Sequence, residues 1–256
     1  MEPYPRYITP GFKPFDPLEL ARKTEEITCQ GDLKKYSKFL CAGVYQGIST
    51  GYTVGCCLRC IFCWVNWSRD FPEKGMDFYS PQQVFKKLVF YAKKKNVPRL
   101  RISGGEPTLG KEHLLKVLDL VNTTDYLFIL ETNGILFGYD RDYVSKLKKH
   151  KNVYIRLCLK AGTPEGFEKR TGAKGDFFEL PYLGIKNLME ENLKFHVACM
   201  NDPALMPDSE NQIMKKKLKK LGYFDYLEEE FCDPYYTSVQ RLEKAGYHIF
   251  NQKNRD

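Results

Sequence analysis

Apolar runs of strand length alternate with helical patterns along most of the chain. Gly47 to Val54 reads as a strand, and Pro81 to Lys95 as a helix with proline in its first turn. Arg99 to Ser103 and the helix Lys111 to Val121 follow, then Tyr126 to Glu131 with Asp140 to His150, and Val153 to Lys160 with Phe178 to Glu191. A fifth pair joins Leu193–Cys199 to Asp208–Leu221, and a sixth begins weakly near Tyr223 and ends in the helix Thr237 to Ala245. Five or six strand–helix units predict a parallel sheet. Right-handed crossovers would wind it into a full or partial barrel, here a partial (β/α)6 TIM-like α/β fold, with chemistry at the carboxyl ends of the strands.

Residues 1–45 break this rhythm. Pro3, Pro5, Pro10, Pro14 and Pro17 punctuate the start, Leu18 to Thr28 has the pattern of a short helix, and Cys29 and Cys41 bracket a polar stretch. We read 1–45 as an N-terminal extension packed on a core domain of residues 46–256. No fixed-period repeat or low-complexity linker marks a further boundary.

Composition changes this picture little. The 256 residues are 43% hydrophobic and 28% charged, as expected of a folded globular chain. The net charge of +8 would favour an anionic partner, but much of the excess sits in Lys93–Lys95 and Lys215–Lys217, where a solvated helix face accounts for it equally well. No apolar run reaches membrane-span length and Met1 to Thr9 lacks the apolar core of a signal peptide, so a cytoplasmic protein without a membrane partner is expected.

Nine cysteines is an odd number, and four crowd into Cys56–Cys63, which points to metal ligation in a reducing compartment over a disulfide framework. Cys56, Cys60 and Cys63 follow the first core strand with spacing C-x3-C-x2-C. Three thiolates on a cubane leave one iron without a protein ligand. Cys57, Cys60 and Cys63 also fit C-x2-C-x2-C; we assign Cys57 to packing. Structural zinc is the competing reading, although it usually takes four ligands and no nearby Cys or His completes the set. The scattered Cys29, Cys41, Cys158, Cys199 and Cys232 read as buried small apolar residues.

The string Cys-Cys-Leu-Arg-Cys-Ile-Phe-Cys resembles the cluster loop of the radical S-adenosylmethionine (SAM) superfamily, including an aromatic, Phe62, before the third cysteine. About 40 residues on, Ser103-Gly104-Gly105-Glu106-Pro107 resembles that family's GGEP motif. On its own this string fits an ordinary strand-to-helix turn. The resemblance implies a [4Fe-4S] cluster on Cys56, Cys60 and Cys63. It further implies SAM bound at the open iron, with Phe62 near adenine and Gly104, Gly105, Glu106 and Pro107 at the methionine amino group.

Glu131-Thr132-Asn133-Gly134 ends the third strand and resembles the acid-Thr-Asn-Gly element of the glycyl radical activases, the pyruvate formate-lyase activating enzyme type, with Glu in place of Asp. In the family these side chains would meet the methionine end or ribose of SAM; an Asn-Gly turn is the plain alternative. Arg156, Cys158 and Lys160 alternate onto one face of the fourth strand. Leu159-Lys160 is similar to the Leu-Lys of the activases, with Cys158 where they carry Asp, so Lys160 or Arg156 would neutralise the SAM carboxylate unless it faces solvent. His196 corresponds in position to a late-strand histidine of the activases that contacts SAM, with Asn201 as an alternative contact; a core histidine satisfied by hydrogen bonds is the competing reading.

What the resemblance implies is reductive cleavage of SAM to a 5'-deoxyadenosyl radical that abstracts hydrogen from a substrate. An external electron donor of the flavodoxin or ferredoxin type would supply the electron. The substrate would be a partner protein, as for an activase, or RNA, since the Cys-Ile-Phe-Cys-Trp run and lysine-rich surface also resemble tRNA-modifying members. A non-catalytic iron-sulfur or zinc binding protein is the reading from another class.

Overall fold

The computed structural model describes residues 4–250. Its centre is one nine-stranded sheet. Helix α1 (Pro17–Thr28), capped by the Asp16 carboxylate, leads into strands β1 (Cys29–Gln30) and β2 (Leu33–Ala42). β3 (Ile48–Thr53) pairs antiparallel with β2, and the short β4 (Asp77–Tyr79) also pairs with β2. From β3 onward, β5 (Arg99–Gly104), β6 (Leu127–Thr132), β7 (Val153–Leu159), β8 (Phe195–Met200) and β9 (Leu227–Glu230) pair in parallel, each beside the one before. The chain is therefore an α/β fold with a mostly parallel sheet.

The crossovers are helical. α2 (Pro81–Lys95) opens with a Ser80–Gln83 capping box and closes on Asn96 in the left-handed region. α3 (Lys111–Val121) lies between β5 and β6. α4 (Ile135–Tyr139) and α5 (Arg141–Leu147) follow β6, and α6 (Pro164–Thr171) and α7 (Glu179–Glu190) follow β7. α8 (Asp208–Leu221) and α9 (Tyr236–Lys244) complete the set. The sheet's outward side chains, such as Leu100, Ile102, Phe128, Leu130, Ile155 and Leu157, are buried with the apolar stripes of these helices in one core. The parallel strands are buried on both faces, as their apolar runs of strand length anticipated.

Three elements differ from the sequence expectation. The polar stretch bracketed by Cys29 and Cys41 forms β1 and β2, which extend the sheet antiparallel; its strand signal is masked because Lys34 and Lys35 are buried within it. The segment expected as one helix from Asp140 is preceded by the separate α4, entered through Gly134 at φ 77°. The eight-residue α6 starts at Thr163, whose hydroxyl accepts from Gly166 N, and is too short to show a helical period.

Candidate active site

The carboxyl ends of β3 and β5–β9 open into a cavity of about 790 Å³. Cys56, Cys60, Cys63, Phe62, Gly104, Gly105, Glu106, Glu131, Thr132, Asn133, Arg156 and Lys160 all line it. Eight of these are separated in sequence by a strand or helix from the cysteine loop, and the parallel register is what collects them. Pro107, His196, Asn201 and Cys57 are not among the lining residues.

The cysteine loop leaves β3 through Gly55, whose φ of 81° is in the left-handed region. Its backbone is pinned to the end of α6, where Arg59 N and Ile61 N donate to the carbonyls of Thr171 and Arg170. Cys57 is fully buried behind Cys56, and its thiol hydrogen-bonds Cys56, which lowers the Cys56 thiol to about 7 while pushing Cys57 well above the ordinary range. Burial pushes the Cys60 thiol up to about 12, opposed by the nearby Lys160 ammonium and reinforced by Cys63 and Cys56. Of the pair Cys56 and Cys57, the one at the cavity is thus also the readier thiolate.

The GGEP turn is packed against this loop with no room between them. A Cβ on Gly105 would stand 2.0 Å from the Gly55 carbonyl oxygen, and Gly104 has φ 91°. Glu106 is 3% exposed, and its carboxylate ties three segments together. Oε1 accepts from Thr108 N, Thr108 Oγ1 and Thr132 Oγ1 at 3.1, 2.7 and 2.7 Å, and Oε2 accepts from Asn133 N at 2.9 Å. Oε2 retains acceptor capacity for an ammonium, while Oε1 is filled. Asn133 Nδ2 in turn donates to the Cys57 sulfur at 3.3 Å, closing a chain from the third strand end to the cysteine loop.

Lys34, from β2, is 1% exposed and donates to the carbonyls of Glu106, Pro107 and Leu109, so the first 45 residues brace the GGEP turn from below. They also reach the cavity. Tyr45 adopts φ 54°, an uncommon region for a tyrosine, and its hydroxyl donates to Glu131 Oε1 at 2.7 Å. Sequence reasoning missed both residues, because neither belongs to a contiguous motif.

The opposite wall is made of ion pairs. Arg101 donates to Glu131 at 3.0 Å, and Ser103 Oγ donates to the other Glu131 oxygen at 3.0 Å. Arg156 reaches Glu228 at 2.8 Å and Glu230 at 2.7 Å, while Lys160 lies 3.9 Å from Glu230 and 5.9 Å from the Phe62 ring centroid. The Arg156 guanidinium, with His196 beside it, holds the Glu228 carboxyl down at about 2. His196 sits one layer deeper, its ring nitrogens engaged by Tyr154 Oη at 3.1 Å and Glu228 at 2.8 Å, as the core reading of a strand histidine describes. Asn201 instead donates its backbone N to Glu230 O. Cys158 and Cys232 also line the cavity, and burial raises each thiol to about 12.

These residues fit a cluster and SAM. Cys56, Cys60 and Cys63 present three thiols to one cavity, beside the Glu106 carboxylate and the Lys160 side chain. A cubane takes its thiolates on different irons, and three of them leave one iron open. No helix of the described residues is long and apolar enough to cross a membrane.

Comparison with known proteins agrees with this geometry. Residues 51–215 match the model of the radical SAM superfamily. A probable GTP 3',8-cyclase from Methanococcus aeolicus is 30% identical over 152 residues, covering 58% of this chain and 48% of the relative. A GTP 3',8-cyclase from Heliobacterium modesticaldum is 29% identical over 124 residues, covering 45% and 34%. The chain thus spans half or less of the length of these curated relatives. Among solved structures, Streptococcus suis SuiB bound to its precursor peptide SuiA superposes with a TM-score of 0.54 at 18% identity, over 70% of this chain and 38% of that one. TYW1 with a lysine-pyruvate adduct bound gives 0.53 at 18%, over 72% and 64%, and both likenesses speak to the fold alone. With the family model covering well over half of the chain and its cysteine loop, GGEP turn and parallel sheet meeting at one cavity, this protein belongs to the radical SAM superfamily of iron-sulfur, SAM-dependent enzymes.

Proposed function

We propose that the chain cleaves SAM reductively and uses the product radical to remove hydrogen from a segment of a partner protein inserted into the cavity. The observation that carries this reading is the division of one cavity into a cysteine–GGEP wall and a charge-balanced wall, rimmed by exposed apolar side chains. Cys56, Cys60 and Cys63 would hold the cluster, and Gly104, Gly105, Glu106, Thr132, Asn133, Phe62 and Lys160 would hold SAM. The bound groups supply one-electron cleavage of the carbon-sulfur bond and the 5'-deoxyadenosyl radical. Glu106 keeps the turn and the Thr132–Asn133 segment in register, Lys160 offers a cation for the methionine carboxylate, and the buried loop excludes water.

The rim supports a macromolecular substrate. Val44, Trp64, Phe231 and Tyr235 line the cavity and are each more than 40% exposed, which is the kind of apolar patch a partner's segment covers. The curated relatives are named for GTP, but Arg69, Arg101 and Arg156, the cavity's arginines, each have a carboxylate partner within 4 Å, and Lys160 is the cation assigned to SAM. A triphosphate would have to break ion pairs to bind, which weighs against carrying that substrate over. The lysine runs weigh against RNA in the same way, since Lys93–Lys95 and Lys215–Lys217 lie on α2 and α8, away from the cavity lining.

The test is anaerobic reconstitution with iron and sulfide, followed by dithionite, SAM and chromatography for 5'-deoxyadenosine. Release of this nucleoside, increased by a ribonuclease-treated protein fraction of the source cells and not by the same fraction after proteolysis, is expected. No release at full iron loading contradicts the reading. Stimulation that is lost on ribonuclease treatment, with binding that weakens steeply in salt, would move the substrate to RNA.

A further inference from the structure

Each of the three cavity-lining cysteines of the loop has a buried arginine at its own peptide carbonyl. Arg59 Nη1 donates to Cys56 O at 2.9 Å and Leu58 O at 2.8 Å. Arg69 Nη1 donates to Cys60 O at 2.7 Å, and Arg241 Nη1 donates to Cys63 O at 2.5 Å. The three are 1%, 1% and 4% exposed. Arg59 and Arg69 are on or next to the loop, but Arg241 comes from α9, beyond the residues 51–215 that match the family. It also bonds Val65 O and Asn66 O, and Thr237 on the same helix donates to Trp64 O.

The charges in this collar do not balance. Asp70, 1% exposed, pairs with Arg69 and Arg241, and among the described residues it is the one carboxylate in ion-pair contact with any of the three guanidiniums. Arg59 has carbonyl acceptors and the Tyr4 ring, and among the described residues Arg59 Nη2 and Arg241 Nε find no acceptor. Three buried cations against one anion is costly unless further negative charge arrives.

We propose that Arg59, Arg69 and Arg241 are positioning residues that both fix the three ligand peptides and make the cluster easier to reduce. The inference rests on Cys56, Cys60 and Cys63 being the cluster ligands. Thiolates on a cubane bring the missing negative charge, reduction adds one more, and fixed positive charge beside the sulfurs favours the reduced state. Because Arg241 reaches the loop from the far end of the chain, α9 is part of the cluster site and not an appended helix.

The experiment is a potentiometric titration of the anaerobically reconstituted full chain, followed by electron paramagnetic resonance, with iron counted for each variant. Arg241→Gln should lower the reduced-to-oxidised ratio at a fixed potential by about tenfold, which is about 59 mV for one electron. Arg241→Lys keeps the charge and should recover most of that shift, although it cannot make all of the arginine's hydrogen bonds. Asp70→Asn should move the potential the opposite way. An iron-loaded Arg241→Gln that titrates with wild type overturns the proposal, and so does an Arg241→Lys shifted as far as Arg241→Gln. Should Arg241→Gln fail to fold, Asp70→Asn decides: a rise supports the collar, and an unchanged or lower potential overturns it. A wild-type chain that takes up no four-iron cluster overturns the functional reading instead, before any variant is titrated.

Discussion

The cavity's two walls are built on different physics. The cysteine–GGEP wall is held by backbone: carbonyls anchored by buried Arg and Lys side chains, a Gly105–Gly55 contact that admits no side chain, and a Glu106 carboxylate bonded by four donors. The facing wall, on β7 and β9, is held by side chains that neutralise one another, with Arg156 between Glu228 and Glu230. The first arrangement fixes a shape that few substitutions can preserve, while the second fixes a charge balance that can be retuned residue by residue. A cofactor common to a family suits the first, and a substrate particular to one member suits the second.

That contrast orders the expected effects of substitution. Cys56→Ala, Cys60→Ala or Cys63→Ala should each abolish both the cluster absorption and 5'-deoxyadenosine release, whereas Cys57→Ala should keep most of both, as read by iron assay and chromatography. Loss in Cys57→Ala with survival in Cys56→Ala would reverse the assignment of the ligands.

Glu106→Ala strands the donors of Thr108, Thr132 and Asn133 in a buried site. It should cost on the order of 3 kcal/mol of stability by denaturant titration, and weaken SAM binding by calorimetry. Arg156→Met should act on the other wall only. Release of 5'-deoxyadenosine without added substrate should persist, and its stimulation by substrate should fall roughly tenfold, the size of one lost charged hydrogen bond. If the two variants have the same profile, the division between the walls is wrong.

The effects of pH on stability reach no further than that of Glu106→Ala. Glu228 has its carboxyl depressed to about 2 from the usual 4.5, so the stability it contributes is present above 4.5 and is lost as pH falls through about 2. Burial lowers His113, bonded to Tyr36 Oη and Asp32 O beneath the GGEP wall, from 6.5 to about 4. The unfolded chain then binds the proton first, so stability falls as pH drops from 6.5 towards 4, by up to about 3 kcal/mol. His113→Gln should flatten that part of the thermal-denaturation profile and leave the lower limb in place.

The same contrast explains what the sequence made legible. The cysteine loop and the GGEP turn are contiguous strings whose spacing carries their chemistry, and the alternation of Arg156, Cys158 and Lys160 located one row of the opposite wall. Glu228 and Glu230 escaped notice because Leu-Glu-Glu-Glu has no strand propensity; β9 exists through its parallel pairing with β8, and its acids are stabilised by Arg156. Lys34, Tyr45 and Arg241 act across separations of about 70 residues or more, which no local pattern encodes. His196 lies one layer below the cavity lining, a position that strand alternation does not give, since it fixes the face of a side chain but not its depth.

The central claim is most directly tested by the electron paramagnetic resonance spectrum of the reduced, iron-loaded protein before and after adding SAM. A four-iron signal that changes shape with the nucleoside, and vanishes in Cys60→Ala, is the predicted result. A signal indifferent to SAM, or protein that takes up zinc in place of iron, would contradict it.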